Sequence, residues 1–410
     1  MNKYLYILGL VGTALFSACS TSDDLSIGDS SAVDMAKESV LIYEAGQNSE
    51  VPITLGVGQS RGYTRAPIGD ESENPTYASF STEAGKYLGV FCLATDYQTP
   101  YKTNHPIENN WTANDETGLI VRMKNVPATV LDGDVTFKNS DASADQIYYY
   151  PMSNWMKYNF YAYYPRENDS KIEFTSGGSG ALVKYITIDG SQDVIWGKAH
   201  PEKAPKVSSA NDAEPFCAKY FQLKKDSIAN SPNPTPGNIA ALYPKFEFKH
   251  LLSQFKFSIV PVDDAAWTAI SNADGMSITN MYVSNAISNL QLIVANKANP
   301  GTEGRLSKKD SNTDKLYIKA DGKDYNLFSS DPEPLESQVS SIAIAATSVS
   351  VPGYIMLPPK DVGTEAYELC LEYSIGVTPK EPMKVKLTPP SGGFKAGQVY
   401  NIVVKVKLVE

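Results

Sequence analysis

Glu50-Val51-Pro52-Ile53-Thr54-Leu55-Gly56-Val57-Gly58 alternates apolar residues with polar or small ones along its whole length. Successive side chains of a strand point to opposite faces, so Val51, Ile53, Leu55 and Val57 share one apolar face. Pro52 has no N–H to give to a ladder, which predicts a place at a sheet edge or a bulge. Outward from this stretch the same period recurs. Residues 87–94, 118–123, 135–138, 147–150, 158–163 and 182–188 read as further strands, while 176–180 and 230–237 are loops by composition. Stretches of 3.6-residue periodicity are scarce. The fold class is therefore all-β.

A second series opens at Phe246-Glu247-Phe248 and resumes at Phe255-Lys256-Phe257-Ser258-Ile259. The apolar parity changes across His250-Leu251-Leu252, which predicts a bulge or bend. Strands follow at 277–283, 290–294, 315–319, 341–345, 353–357, 367–375, 383–387 and 399–408, with short helical turns at 265–270 and 361–365. The stretch 198–243 is polar and proline-rich. The expected organisation is a leader at 1–18, a tether at 19–38, and two β-sandwich domains at 39–240 and 241–410.

The amino end sets the compartment. Lys3 gives a positive start, Leu5 to Phe16 form a short apolar run, and the small residues Ser17 and Ala18 precede Cys19. This is the layout of a signal peptide. Leu15-Phe16-Ser17-Ala18-Cys19 also resembles a bacterial lipobox, with Phe16 where Leu is usual, which makes Cys19 the expected lipidation site. Each buried CH₂ of an acyl chain contributes about 0.8 kcal/mol, so such an anchor holds firmly. Ser20-Thr21-Ser22-Asp23-Asp24 is similar to an export tag toward the outer face, and equally reads as a solvated linker.

Composition narrows the chemistry. The formal net charge is −10, so no basic surface calls for nucleic acid. Beyond Cys19 the cysteines are Cys92, Cys217 and Cys370, without Cys-x-x-Cys spacing; at most one disulfide is possible. Cys370 shares strand parity with Glu368 and Glu372 and reads as a surface-side or semi-buried thiol. His105 and His200 precede prolines in polar loops, whereas His250 shares parity with Phe246 and Phe248 as a core histidine would. No zincin, nucleophile-elbow, P-loop or dinucleotide motif occurs. Asp132-Gly133-Asp134 is a turn rather than a calcium loop. Trp111, Trp155, Trp196 and Trp267 read as core or loop anchors before they read as sugar platforms. No catalytic residue, metal or cofactor is expected.

Six phrases carry a resemblance. They are Tyr149-Tyr150-Pro151 with Tyr158-Asn159-Phe160-Tyr161-Ala162-Tyr163-Tyr164-Pro165; Asp193-Val194-Ile195-Trp196-Gly197; the arginine-bearing Gln59-Ser60-Arg61-Gly62-Tyr63-Thr64-Arg65-Ala66; Phe246 to Phe255; Pro352-Gly353-Tyr354-Ile355-Met356-Leu357-Pro358-Pro359; and Phe394-Lys395-Ala396-Gly397-Gln398-Val399-Tyr400. Taken together along the chain, with the lipobox, they make the chain resemble the fimbrillin family (Mfa-like) of type V pilus subunits. The resemblance implies two transthyretin-like β-sandwich domains, an outer-membrane lipoprotein, and polymerisation by strand exchange after proteolysis. It further implies cleavage by an arginine-specific protease just after the first strand, with Arg65 the first candidate and Arg61 the second. Loss of the strand bearing Val51, Ile53, Leu55 and Val57 would then leave a groove.

Tyr400, Ile402, Val404, Val406 and Leu408 form an alternating apolar face near the carboxyl end, either as a donor strand or as the last strand of the second domain. The stop at Glu410 points to a tip or accessory subunit, since family members that polymerise carry more sequence there. Expected partners are other fimbrial subunits, the protease, the outer membrane through the lipid, and a host or bacterial surface receptor. The rival reading is a surface lipoprotein of the same fold that binds glycan or host protein and never polymerises. The assembly reading expects residues 51–57 at an edge; a central, doubly paired strand, or an unstructured tail, would overturn it and leave only a tethered β protein.

Overall fold

The computed structural model describes residues 52–57, 82–94, 111–112, 120–131, 133–150, 158–175, 177–201, 216, 244–359 and 366–408. The first strands are β1 (Leu55–Val57), β2 (Leu88–Ala94), β3 (Val121–Leu131), β4 (Asp134–Phe137), β5 (Tyr158–Tyr164), β6 (Ile172–Phe174), β7 (Gly180–Thr187), β8 (Ile195–Pro201) and β9 (Pro244–His250). Seven of them pair in a closed circuit, β1-β4-β3-β2-β5-β8-β9, with β1 closing the ring. The alternation that predicts these strands also fills the interior. Val90, Phe91, Leu93, Phe160, Tyr163 and Phe246 are all buried, and each fully buried apolar side chain of this size contributes about 1.5–3 kcal/mol.

The second half holds β10 (Ser253–Pro261), α1 (Asp264–Asn272), β11 (Met276–Ala286), β12 (Asn289–Asn296), β13 (Arg305–Lys308), β14 (Asp314–Tyr317), β15 (Lys319–Ala320), β16 (Ile342–Ala343), β17 (Val349–Leu357), β18 (Tyr367–Ile375), β19 (Thr378–Leu387) and β20 (Val399–Val406). One sheet runs β15-β17-β10-β20 and another β14-β11-β18-β19. Phe255 of the first meets Tyr367 of the second edge to face at 5.8 Å, and Phe394 and Tyr400 complete the aromatic cluster. Such pairs contribute beyond their buried area. The helical turn is real: the Asp263 side chain caps α1 by accepting from the Ala266 N–H at 2.7 Å.

Two findings correct the expected division at residue 240. β9 lies beyond it, yet pairs antiparallel with β8 (Ile195 opposite His250, Gly197 opposite Phe248) and parallel with β1. The polar, proline-rich stretch is thus a connection between partners of one sheet, and its composition masks that pairing. The chain changes sheets at Leu251-Leu252, where the apolar parity flips. Second, the β12–β13 hairpin leaves its own half: β12 pairs with β7, giving the sheet β13-β12-β7-β6. Residues 147–150 form no strand, only a bridge from Tyr149 to Pro52.

The hairpin is fastened to the ring by a polar cluster. Tyr161 Oη donates to Glu303 Oε1 at 3.0 Å, the Asn296 N–H donates to the same oxygen at 3.1 Å, and Lys198 Nζ lies 3.7 Å from Oε2. Trp196 Nε1 donates to the Val294 carbonyl at 2.9 Å, while Lys249 Nζ sits 4.6 Å from the Trp196 ring centre. Gly304 has φ +67°, and a Cβ there would come within 2.3 Å of the Trp196 ring. Only glycine allows the hairpin to lie this close.

Candidate functional site

The site follows from how β1 is held. Ile53, Leu55 and Val57 point inward and are buried, while Thr54 faces out. Leu55 stands opposite Val135 of β4, and Val57 stands opposite Phe246 of β9. Ile53 N–H donates to the Tyr148 carbonyl at 2.8 Å and Val57 N–H to the Gly133 carbonyl at 2.7 Å. A Cβ on Gly56 would stand 3.3 Å from both the Gly133 carbonyl oxygen and Lys245 Cγ. The neighbouring strands therefore close tightly on both sides.

The edge position expected for this segment is overturned. Pro52 falls just outside β1, in the bridge to Tyr149, and the adjacent Ile53 N–H supplies the donor that Pro52 lacks. A strand held on two sides does not peel from an edge. What replaces that picture is a three-residue staple whose absence would open the ring and leave β4 and β9 each with an unpaired edge.

Both ends of the connection that follows β1 are fixed at one place. Val57 bonds to Gly133, in the β3–β4 turn, and the chain returns at Thr82, whose N–H donates to the Val130 carbonyl at 3.1 Å. Val130 N–H donates back to Thr82 Oγ1 at 3.2 Å. The described chain thus stops at Val57 and resumes at Thr82 on the same β3–β4 hairpin. Arg61 and Arg65 belong to that connection and lie outside the described residues, as do Val51 and the lipidation residue Cys19.

The carboxyl-terminal strand has its own place. β20 pairs in parallel with β10 over an unbroken register from Gln254–Val399 to Pro261–Val406. Val404 and Val406 are buried, and Tyr400, Ile402 and Leu408 pack against the core at its margin. Of the two readings of this stretch, the structure takes the last strand of the second sandwich. Among the described residues β20 forms the outer strand of its sheet, with Val403, Lys405 and Lys407 exposed.

The remaining sequence candidates are structural. His250 is buried and its Nδ1 shares a hydrogen bond with Asp193 Oδ2. Two of the quoted phrases therefore touch across the β8–β9 pair. Cys370 is buried, correcting its surface-side reading, because its cross-strand neighbours Tyr282 and Lys384 cover that face. Cys92 is buried too, and burial pushes its thiol well above the ordinary range, the reverse of what a nucleophile needs. Trp111 anchors its segment by donating to the Ala94 carbonyl at 2.8 Å. Burial likewise raises the Tyr163 hydroxyl, which donates to Asn125 Oδ1 at 2.8 Å. Among the described residues no group of His, Cys, Asp and Glu is placed to hold a metal.

Comparison with solved structures returns surface-appendage proteins. A Bacteroides uniformis protein, provisionally described as a cell adhesion protein, matches over 87% of this chain and 93% of its own at 16% identity and a TM-score of 0.40. The fimbrial anchor protein Mfa2 from Porphyromonas gingivalis matches over 82% and 83% at 10% identity and 0.29. A fimbrial protein from Bacteroides ovatus matches over 86% of this chain and 48% of its own at 13% identity and 0.33. The chain is similar to fimbrial and adhesion proteins. No family model matches the sequence, and no curated protein does. At these scores the functional argument rests on the chain's own geometry.

Proposed function

We propose that the chain is a subunit of a surface fimbria, exported as a lipoprotein through Cys19 and matured by cleavage after Arg65 or Arg61. The double pairing of β1 departs from the edge position this reading expected; what supports the reading is that the closure is short, three residues between β4 and β9. Cutting within residues 58–81 separates β1 from the chain that resumes at Thr82, while Thr82 stays fixed to Val130. Departure of β1 uncovers the places of Ile53, Leu55 and Val57, worth together about 4.5–9 kcal/mol at 1.5–3 each. That is comparable with the net stability of a domain, about 5–15 kcal/mol. It also leaves backbone groups of β4 and β9 without partners on both sides of a slot. An extended segment from a neighbouring subunit restores both sets of bonds at once, by strand addition.

The subunit takes a strand and gives none, which suits a tip or accessory position; β20 is already committed along its length to β10. A second reading, a surface lipoprotein that binds glycan or host protein without polymerising, draws its support from the double pairing of β1, which suits a permanent strand. A synthetic Glu50–Gly58 peptide added to a chain beginning at Ala66 tests whether the slot takes a strand supplied by another molecule. Under the fimbrial reading the peptide binds and raises the melting temperature. A truncated chain that is fully stable and ignores the peptide refutes it.

A further inference from the structure

The place that β1 occupies has two unlike sides, and the difference bears on what can fill it. On the inward side Ile53, Leu55 and Val57 sit in buried apolar positions. On the outward side Thr54 is exposed, yet Gly56, which shares its parity, is buried. A Cβ at Gly56 would stand 3.3 Å from the Gly133 carbonyl oxygen, 3.3 Å from Lys245 Cγ and 3.5 Å from Lys245 Cε. The outward face is thus open at one residue and roofed at the next.

Room, and not backbone conformation, asks for glycine here. Gly56 has no positive φ, so its backbone is one that other residues adopt. Of the two roofing groups, the Lys245 stem is flexible and can swing aside. The Gly133 carbonyl is held, because it accepts the Val57 N–H at 2.7 Å. Moving it to admit a side chain gives up the bond that fixes the end of the strand. A methyl group is tight in this corner, and a branched or long side chain overpacks it.

Direction is set as well. β1 runs antiparallel to β4 and parallel to β9, and a reversed strand would exchange the two ladder patterns. Ile53 and Val57 both donate their N–H groups, so proline at either position loses a bond.

On the reading that β1 is exchanged for a neighbour's strand, we propose that this slot selects its occupant by sequence. The occupant is an extended segment of a different subunit that reads apolar, any residue, apolar, glycine, apolar, in the direction of β1. Its first and last apolar residues are not proline. The same requirement rejects a wrong strand. Laying the alternating face of Tyr400, Ile402, Val404, Val406 and Leu408 on the three apolar positions puts Val403, Lys405 or Lys407 under the roof, according to register. The chain's own last strand is therefore unsuited to the slot of another copy.

Peptide exchange on the full, unacylated chain tests this. The chain is nicked between Val57 and Thr82 by an arginine-specific protease and offered fluorescent Glu50–Gly58 peptides, unaltered or carrying Gly56→Val or Thr54→Val. Valine favours the extended state more than glycine does, so weaker binding of the Gly56→Val peptide reports lack of room. The Thr54→Val peptide binds within about twofold of the unaltered one. The Gly56→Val peptide binds about thirtyfold more weakly, as overpacking requires, and a Val399–Leu408 peptide does not bind. The uncut chain gives a second readout that needs no exchange: Gly56→Val lowers its melting temperature and Thr54→Val does not. Equal binding of the two valine peptides, or an uncut Gly56→Val chain that melts with the wild type, overturns the selectivity and leaves strand exchange standing. A chain that cannot be nicked there, or that takes no peptide once nicked, refutes strand exchange and the selectivity with it.

Discussion

Leu55→Ala is the most informative single substitution in the ring. Leu55 is 1% exposed and stands opposite Val135, within the interior that Phe246 also fills. Removing a buried leucine side chain forfeits its transfer free energy and leaves a cavity, together about 2–5 kcal/mol. The low end applies where neighbours collapse into the space. Here a Cβ on Gly56 would stand 3.3 Å from both the Gly133 carbonyl oxygen and Lys245 Cγ, so the neighbours are already close, collapse is restricted and about 3–4 kcal/mol is expected. The assay is equilibrium urea denaturation followed by Trp fluorescence, with Thr54→Ala, on the exposed face of the same segment, as the comparison. Leu55→Ala lowers the midpoint strongly and Thr54→Ala moves it little. Equal and small effects of the two substitutions would refute the claim that β1 completes a packed ring.

Other expectations follow from particular contacts. A Cβ at Gly197 would lie 2.7 Å from the Phe248 ring and 2.8 Å from the Glu247 carbonyl, so Gly197→Ala should cost about 1–3 kcal/mol of overpacking, read as a lower urea midpoint. Glu303→Gln weakens the bonds that fasten the β12–β13 hairpin, at about 1–3 kcal/mol, and should speed hydrogen exchange in 289–308 more than in 399–406. Burial pushes the Tyr354 hydroxyl up to about 12, above the unfolded value of about 10. Its contribution is therefore complete below pH about 10 and lost as pH rises toward 12; Tyr354→Phe should flatten the alkaline fall in stability over that window.

The sequence periodicity located many strands, because a residue such as Phe255 buries one face of its strand against a core and alternation records that directly. Residues 158–163 were legible from their run of aromatics instead, since β5 is buried on both faces, and the sheet change at His250-Leu251-Leu252 from the shift in parity. Pairing was not. The union of β12 with β7 joins residues about a hundred positions apart, and nothing in Leu290 to Val294 names its partner. β13 has too few apolar residues to announce itself. Pro52 misled in a definable way: its missing N–H forbids one bond at one position, which an adjacent residue supplied, and the prediction of an edge extended that local rule to a whole segment. Cys370 misled because parity says which face a residue takes and not what covers that face.

The amino-terminal residue of the protein recovered from the cell surface bears most directly on whether the closing strand is shed. Sequencing that begins at Ala66 or Gly62, and recovery of an uncut form when arginine-specific proteolysis is inhibited, is the expected result. A surface population that begins uniformly at acylated Cys19 and carries residues 52–57 on the same chain would contradict it.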